Sequence, residues 1–367
     1  MNIRNYWKQI VAWGLCVAVA VSLIYVVRDD RKKKAEQIVQ LKQQAEKSEQ
    51  TDSEKIEALT DIYDKFYSQV DIQSVVCWGD SAMAGNKDKS LAISLKKVAE
   101  DNLFSALSKS FNRVFEKGEY TIPSITINNM GVTNETMRHI LVRAGVNSLE
   151  LGDYIQIPAA TDPVTVRLMD EEAWNSDIKD DQIRFAKQRD VSFGQVWIND
   201  IEGSLVATDD WFDSAHPRYA FVRDEDGNKT SAGSGTEVEI ESASMYIGEI
   251  PVFFFENETG RSADGFVSDV QKLVDRYANS EEDDAEEDTY DLPFVVIFTT
   301  SEGSEMDKAM GNAFGNRYIR NDKYATEMTD RTYRKLAQQV YENLDSQGCF
   351  ESVKEKIALA IQEAEGL

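Results

Sequence analysis

The chain reads as an α/β protein: a doubly wound, three-layer fold on a parallel sheet, interrupted by an inserted all-β subdomain and preceded by a transmembrane helix. Three observations predict this. Short apolar runs such as Val75-Val76-Cys77 and Phe294-Val295-Val296-Ile297-Phe298 alternate with amphipathic stretches, the pattern of strands buried on both faces and joined by helical crossovers. Between about Ser148 and Ile250 the helical period disappears and short alternating runs take over. Near the N-terminus, Ile10 to Val27 is an unbroken run of 18 apolar or small residues, long enough to cross a bilayer.

At 367 residues and 42% hydrophobic, the chain has enough material for a sizeable core. Its formal net charge of −25 argues against nucleic acid, because phosphate binding rests on basic patches, and favours a neutral or cationic ligand. Three cysteines are too few for a disulfide framework, and no spacing of metal-ligand residue types stands out.

Taken in order, residues 1–30 form the expected membrane anchor. A cleaved signal peptide fits less well, since Ala18-Val19-Ala20 is followed by further hydrophobic residues, and Leu15 stands where a lipoprotein-type Cys16 would have a small residue. A strict count of flanking cations (Arg28, Arg31, Lys32, Lys33 and Lys34 after the segment, Arg4 and Lys8 before it) keeps the large domain in the cytoplasm. The resemblance described below implies export, and the expectation adopted is an extracytoplasmic domain. Residues 31–70 lack Gly and Pro and carry spaced apolar positions at Ile38, Leu41, Ile56, Leu59, Ile62 and Phe66, which predicts a helical stalk. Thr51-Asp52-Ser53-Glu54 is a capping-box candidate for its second helix.

The first part of the α/β domain spans 71–147. A strand at Val75–Val76 runs into Gly79-Asp80-Ser81, a tight turn that displays a hydroxyl where a helix begins; in isolation such a turn is equally well an N-cap. An amphipathic helix over Ser90–Phe115, a strand over Ser124–Asn128 and a helix through Val142 follow. The insert, 148–250, holds runs such as Tyr154–Ile157, Thr165–Leu168, Gly194–Ile198 and Tyr219–Val222. Its Asp224-Glu225-Asp226-Gly227-Asn228 stretch reads as a hairpin tip; a calcium loop would need a later glutamate and flanking helices. The second part, 251–367, brings strands at Pro251–Phe255 and Phe294–Phe298 and helices over Ala263–Tyr277 and Glu305–Phe314. An acidic loop at Glu281–Asp288, a short strand at Tyr318-Ile319 and helices over Arg331–Leu344 and Ser352–Ala364 complete it.

These residues together resemble the SGNH hydrolases of the GDSL type, in the version with a β insert between the second helix and the third strand. Gly79-Asp80-Ser81 is similar to the first block. Asn129-Met130-Gly131-Val132-Thr133-Asn134-Glu135-Thr136 with Arg143-Ala144-Gly145 is similar to the second, Phe254-Phe255-Glu256-Asn257 to the third, and Thr329–Leu336 to the segment after the family's final Asp-x-x-His. The resemblance implies a flavodoxin-like sheet and acyl transfer: a serine attacks an ester, a histidine removes its proton, an aspartate orients the histidine, and amide donors hold the oxyanion. Matched residue by residue, Ser81 takes the nucleophile position, and Asn134 and Asn257 take the oxyanion-hole positions.

The sequence departs from the pattern at its end. Glu327 stands where the histidine belongs and Tyr324 where its aspartate belongs. With an ordinary pKa of about 4.3, a glutamate is a weak general base. Phe255, two residues before Asn257, replaces a glycine and is expected to crowd the site. Of the two histidines in the chain, His139 is expected on a helix surface and His216 in the insert. The implied function is a membrane-anchored esterase or acyl hydrolase, carbohydrate deacetylases included, with no cofactor or metal and an impaired catalytic set. The alternative is a non-catalytic surface for a glycan or a protein partner. The expected ligand is a small acylated compound or a glycan.

Overall fold

The structure is a computed structural model. It describes residues 32–33, 39–40, 42, 52–86, 88–118, 120–176, 183, 194–208, 218–256, 261–278 and 292–367. Ile10–Val27, His216, Asn257 and Glu281–Asp288 lie outside the described residues, and no helix among those described is long and apolar enough to cross a membrane.

In chain order, helix α1 covers 52–69. It is followed by β1 (Val75–Gly79), α2 (Ser81–Ala84), α3 (Leu91–Ser110), α4 (Asn112–Phe115), β2 (Ile127–Gly131) and α5 (Met137–Arg143). Then come β3 (Glu150–Leu151), β4 (Ile155–Ile157), β5 (Val164–Val166), β6 (Leu168–Met169), α6 (Glu171–Trp174) and β7 (Val196–Ile198). The insert continues with β8 (Ile201–Ala207), β9 (Tyr219–Arg223), β10 (Thr230–Ala232) and β11 (Val238–Ile240). The chain closes with β12 (Ile250–Phe255), α7 (Ala263–Ala278), β13 (Val295–Thr299), α8 (Glu305–Phe314), β14 (Tyr318–Asn321), α9 (Asp330–Ser346) and α10 (Glu351–Glu365).

The chain is an α/β protein with a parallel five-stranded central sheet in the order β14-β13-β12-β1-β2, accompanied by antiparallel sheets. The central strands β1, β12 and β13 are buried at every residue, because helices cover both faces and no side chain needs a solvent side. Alternation divides their side chains. Val76, Trp78, Phe253, Phe255, Val296 and Phe298 join the core built with α5, α7 and α8, including Phe266, Leu273, Tyr277 and Met310. On the opposite face α9 packs against β13 and β14, burying Leu336, Val340 and Leu344. Burying each such Leu or Phe contributes about 1.5–3 kcal/mol, which makes these faces the main source of stability.

Two compact units divide the chain, one comprising Met1–Ser68, Ser110–Thr121 and Ala360–Leu367, the other Gln69–Lys109 and Ile122–Leu359. In the first, Tyr63 is fully buried among Phe66, Tyr67, Phe111, Phe115 and Tyr120, with ring centroids 5.1–6.0 Å away. Its hydroxyl donates to the Thr121 carbonyl at 2.6 Å, and burial pushes its pKa up to about 12. The antiparallel strands belong to the second unit and carry their own core of Leu151, Ile157, Val166, Val196, Ile198, Phe221 and Val238.

Two local expectations are corrected, and one strand carries no signal in the sequence. The second strand begins at Ile127, and pairing with Val75–Gly79 carries it through Asn128-Asn129 to Gly131 despite their low strand propensity. The longest antiparallel strand, β8, gives no alternating signal because Glu202-Gly203-Ser204 interrupts it. Gly203 is needed there, since a Cβ would sit 2.4 Å from the Val222 carbonyl oxygen. Residues 224–228 are not a hairpin tip: β9 pairs with β5 and β8, whereas β10 pairs with β4. The loop instead wraps the Arg223 guanidinium, which donates to the Pro158 and Asn228 carbonyls at 2.9 and 3.0 Å.

Candidate functional site

From β1 the chain crosses to β2 on one side and later returns to β12 on the other, so the direction of winding reverses between β1 and β12. In open α/β sheets the crevice at the carboxyl ends of such strands is where ligands bind. β1 delivers Gly79, Asp80 and Ser81 to that point. Gly79 is obligatory, because a Cβ would lie 2.0 Å from the Phe254 carbonyl oxygen. Gly131, at the end of β2, is equally tight, with a Cβ 2.4 Å from the Ala84 nitrogen. The two glycines let α2 settle directly onto the strand ends.

Asp80 is buried and holds the turn. One carboxylate oxygen accepts the Ala82 N–H at 2.9 Å, capping α2, and the other accepts the Glu256 N–H at 2.9 Å, fastening the end of β12. Ser81 is half-buried, and its Oγ accepts the backbone N–H of Asn134 at 2.9 Å. Asn134 has φ +67°, the left-handed conformation that glycine adopts freely and asparagine tolerates better than most residues. The position that the resemblance assigns to a glycine is thus held by Asn with glycine-like backbone geometry and an N–H aimed at the serine oxygen.

The loop carrying Asn134 is clamped from below. The next residue, Glu135, is fully buried at its carboxylate and pairs with Arg143, itself wholly buried, through Nε at 2.8 Å and Nη2 at 2.6 Å. Nη2 also donates to the Met130 carbonyl at 2.8 Å, and the guanidinium lies over the Trp78 ring at 5.2 Å. One side chain on α5 therefore fixes both ends of the loop. The pairing was not legible in the sequence, because the partners are eight residues apart and Glu135 precedes the helix.

The segment after β14 has a different character. Asn321 Nδ2 donates to Thr299 Oγ1 at 3.0 Å and to the Lys323 carbonyl, steering the chain back so that the turn Ala325–Glu327 lies beside α2. Two carboxylates close that turn. Glu327 folds back to accept the Tyr324 N–H at 3.1 Å, and Glu256 accepts the N–H of Ala325. Both positions expected to hold a base and its orienting acid are thus part of a cap: Glu327 is exposed with its carboxylate on its own turn, and the Tyr324 side chain is 47% exposed. Tyr333, on α9, reaches the Ala82 carbonyl at 3.4 Å.

Two expectations about neighbouring residues are overturned. His139 is buried, not on the helix surface, and its Nδ1 accepts the Thr136 N–H at 3.3 Å as part of the α5 cap. Phe255 does not crowd the crevice. Strand alternation points it into the core, where its ring packs against Phe253 and Phe266 at 6.4 and 5.7 Å.

Among the described residues no cluster of three His, Cys, Asp or Glu side chains is arranged to hold a metal ion. An open concavity of about 440 Å³ lies elsewhere, between β14 and α9, lined by residues such as Arg320 and Glu342. No family model, curated protein or solved structure matches the chain.

Proposed function

We propose that this chain is a hydrolase-like protein of the SGNH/GDSL type whose crevice holds a small acylated compound or a glycan without efficient turnover. The sheet supports the reading: counted along the chain its strands lie in the order 2-1-3-4-5, the flavodoxin-like doubly wound order, with the all-β segment inserted before the third. Ser81 at the end of the first strand and the left-handed Asn134 beside it support descent from a serine hydrolase. Ile10–Val27 would tether the protein to a membrane, with the globular part on the extracytoplasmic side.

The observation that carries the loss of turnover is the Glu327 carboxylate, which is folded onto the Tyr324 N–H. Among the described residues the Ser81 hydroxyl meets the Asn134 N–H and no general base. Losing triad members lowers rates by about 10⁴- to 10⁶-fold in well-studied serine hydrolases. A second reading, residual esterase activity with Ser81 as nucleophile and the Asn134 and Asn257 donors as oxyanion hole, is favoured by the 2.9 Å contact between the Asn134 N–H and Ser81.

Covalent labelling by a fluorophosphonate, read by intact-mass spectrometry with a Ser81→Ala control, decides between them. The proposal expects wild type and Ser81→Ala to remain equally unlabelled and equally inactive on acetyl esters. Stoichiometric labelling that disappears in Ser81→Ala would establish the esterase reading instead.

A further inference from the structure

Helix α5 belongs to two cores at once. Met137, Ile140, Leu141 and Ala144 pack into the core of the parallel sheet, whereas Val142 joins the core of the insert. The insert holds this helix and the residues before it at three further points. Ser242 Oγ donates to the Arg143 carbonyl at 3.1 Å. Burial pushes the pKa of the Tyr219 hydroxyl up, the Glu135 carboxylate adds to the rise and the Arg143 guanidinium opposes it, which sets this residue of β9 beside the ion pair under Asn134. At the start of α5, Arg138 Nε donates to one oxygen of the Asp170 carboxylate at 2.7 Å, and Nη2 donates to the other.

The Arg138 contact bears on Ser81. The Asp170 carboxylate is wholly buried and also accepts the Ala173 N–H at 3.0 Å, so it is fixed to α6. Taking a carboxylate out of water costs about as much as its ion pair returns, and the best-attested use of such a pair is to select one register among those that apolar packing alone would allow. A two-point guanidinium–carboxylate contact does this by setting direction as well as distance. What it sets here is the first turn of α5. The loop between β2 and α5 starts at Gly131, locked where its Cα abuts the Ala84 nitrogen, and ends at Met137, the neighbour of Arg138. Asn134, in the middle, has φ +67°, a conformation that a non-glycine residue keeps only where its surroundings impose it. Displacing the first turn of α5 therefore turns the N–H that meets Ser81 Oγ.

We propose that Asp170, acting through Arg138, is a positioning residue for the Asn134 N–H, so that the inserted β subdomain orients the donor that faces Ser81; this rests on Ser81 and Asn134 forming the site proposed above. Asp170 acts through the placement of α5, and its effect is the same whether the serine attacks a ligand or only holds one.

The test reads the Asn134 amide resonance of the isotopically labelled full-length protein in detergent micelles. Ser81→Ala is the reference: removing the acceptor should move the amide proton upfield, and an unmoved resonance would overturn the proposal together with the Ser81–Asn134 contact. Asp170→Asn keeps an oxygen for the Ala173 N–H and removes the charge. It should move the same resonance in the same direction, by roughly half the Ser81→Ala shift or more, while the amides of β13 keep their positions. The double variant Arg138→Gln/Asp170→Asn leaves neither charge buried without its partner, so it folds even where the single change does not, and it carries the same expectation. Glu172→Gln, which alters the exposed carboxylate 3.5 Å from Arg138, should leave the resonance in place. Circular dichroism melts establish that each variant is folded. An Asn134 resonance unmoved in the folded Asp170 variants, or moved only together with the β13 amides, would overturn the proposal. Labelling of Ser81 by a fluorophosphonate would end the non-hydrolytic reading and leave this one standing.

Discussion

The loop that ends β2 and the loop that follows β14 both reach α2, and they have fared differently. In the first, Asn134 stands where the resemblance puts a glycine, yet the group that faces Ser81 is a backbone N–H, which meets Ser81 Oγ at 2.9 Å. In the second, the groups that the resemblance calls on are side chains, and Tyr324 and Glu327 stand at those positions. Tyr324 and Glu327 keep the turn but use it as a cap. A site that works through the main chain tolerates substitution wherever the fold enforces the right φ and ψ. A site that works through an imidazole does not. Electrostatics differ in the same way: the Asn134 loop stands on a buried ion pair, whereas the Glu327 turn is held by exposed and half-buried carboxylates accepting N–H groups.

The severest way to break this contrast is to remove the clamp under Asn134. Glu135→Ala leaves the wholly buried Arg143 uncompensated and should lower stability by about 3–5 kcal/mol in urea denaturation. A change below about 1 kcal/mol would mean that the pair does not hold the loop. Gly131→Ala attacks the same corner sterically. With the new Cβ 2.4 Å from the Ala84 nitrogen, α2 must move, at about 1–3 kcal/mol, and the Asn134 amide resonance should shift with it in NMR spectra.

A gain of function sharpens the other half of the comparison. Tyr324→Asp combined with Glu327→His restores the residue types that the resemblance puts at those positions. It should raise hydrolysis of a p-nitrophenyl acetate substrate at least tenfold over wild type, about 1.4 kcal/mol of transition-state stabilisation. Adding Ser81→Ala should abolish the gain; a gain that survives Ser81→Ala would show that the loop does not serve that serine.

The smallest effect is expected at the opposite ends of the strands, where Glu249 accepts from Asn128 Nδ2 at 2.9 Å. Desolvation raises its pKa above the ordinary 4.5, and the hydrogen bond only partly opposes this. The folded protein therefore binds the Glu249 proton more tightly than the unfolded chain. Its contribution is most favourable at acid pH and declines as pH rises from the ordinary Glu value through the raised one. Glu249→Gln, which keeps an acceptor for Asn128, should raise Tm slightly at pH 7, and the difference should vanish below about pH 4. An unchanged Tm at neutral pH would show that the hydrogen bond from Asn128 fully offsets the burial of this carboxylate.

Much of the architecture was legible because it follows from local side-chain chemistry. Runs such as Phe253-Phe254-Phe255 and Val295-Val296-Ile297-Phe298 can only be strands covered on both faces, and the spacing of Phe266, Val270, Leu273 and Tyr277 marks one face of a helix. The insert was legible as β structure but not in its pairing. β8 is broken by a glycine whose reason is a neighbouring carbonyl, and the 224–228 loop is organised by Arg223, a contact that no local pattern encodes. His139 failed as a surface residue because a helix of seven residues, packed on several sides, buries nearly all of its circumference.

At the site, the residue types alone indicated that Gly79-Asp80-Ser81 closes a strand, and the resemblance put Glu327 where that family has a histidine. Only the tertiary structure decided what those residues do. It directs the Asp80 carboxylate to two backbone amides, puts Asn134 into a left-handed conformation over the Glu135–Arg143 pair, and folds the Glu327 carboxylate onto its own turn. Strand and helix periodicity is a property of neighbouring side chains partitioning between water and core, so a sequence carries it openly. The partner of a carboxylate or an amide is set by which distant segment the fold brings within 3 Å, and that distance exists only once the chain has closed on itself.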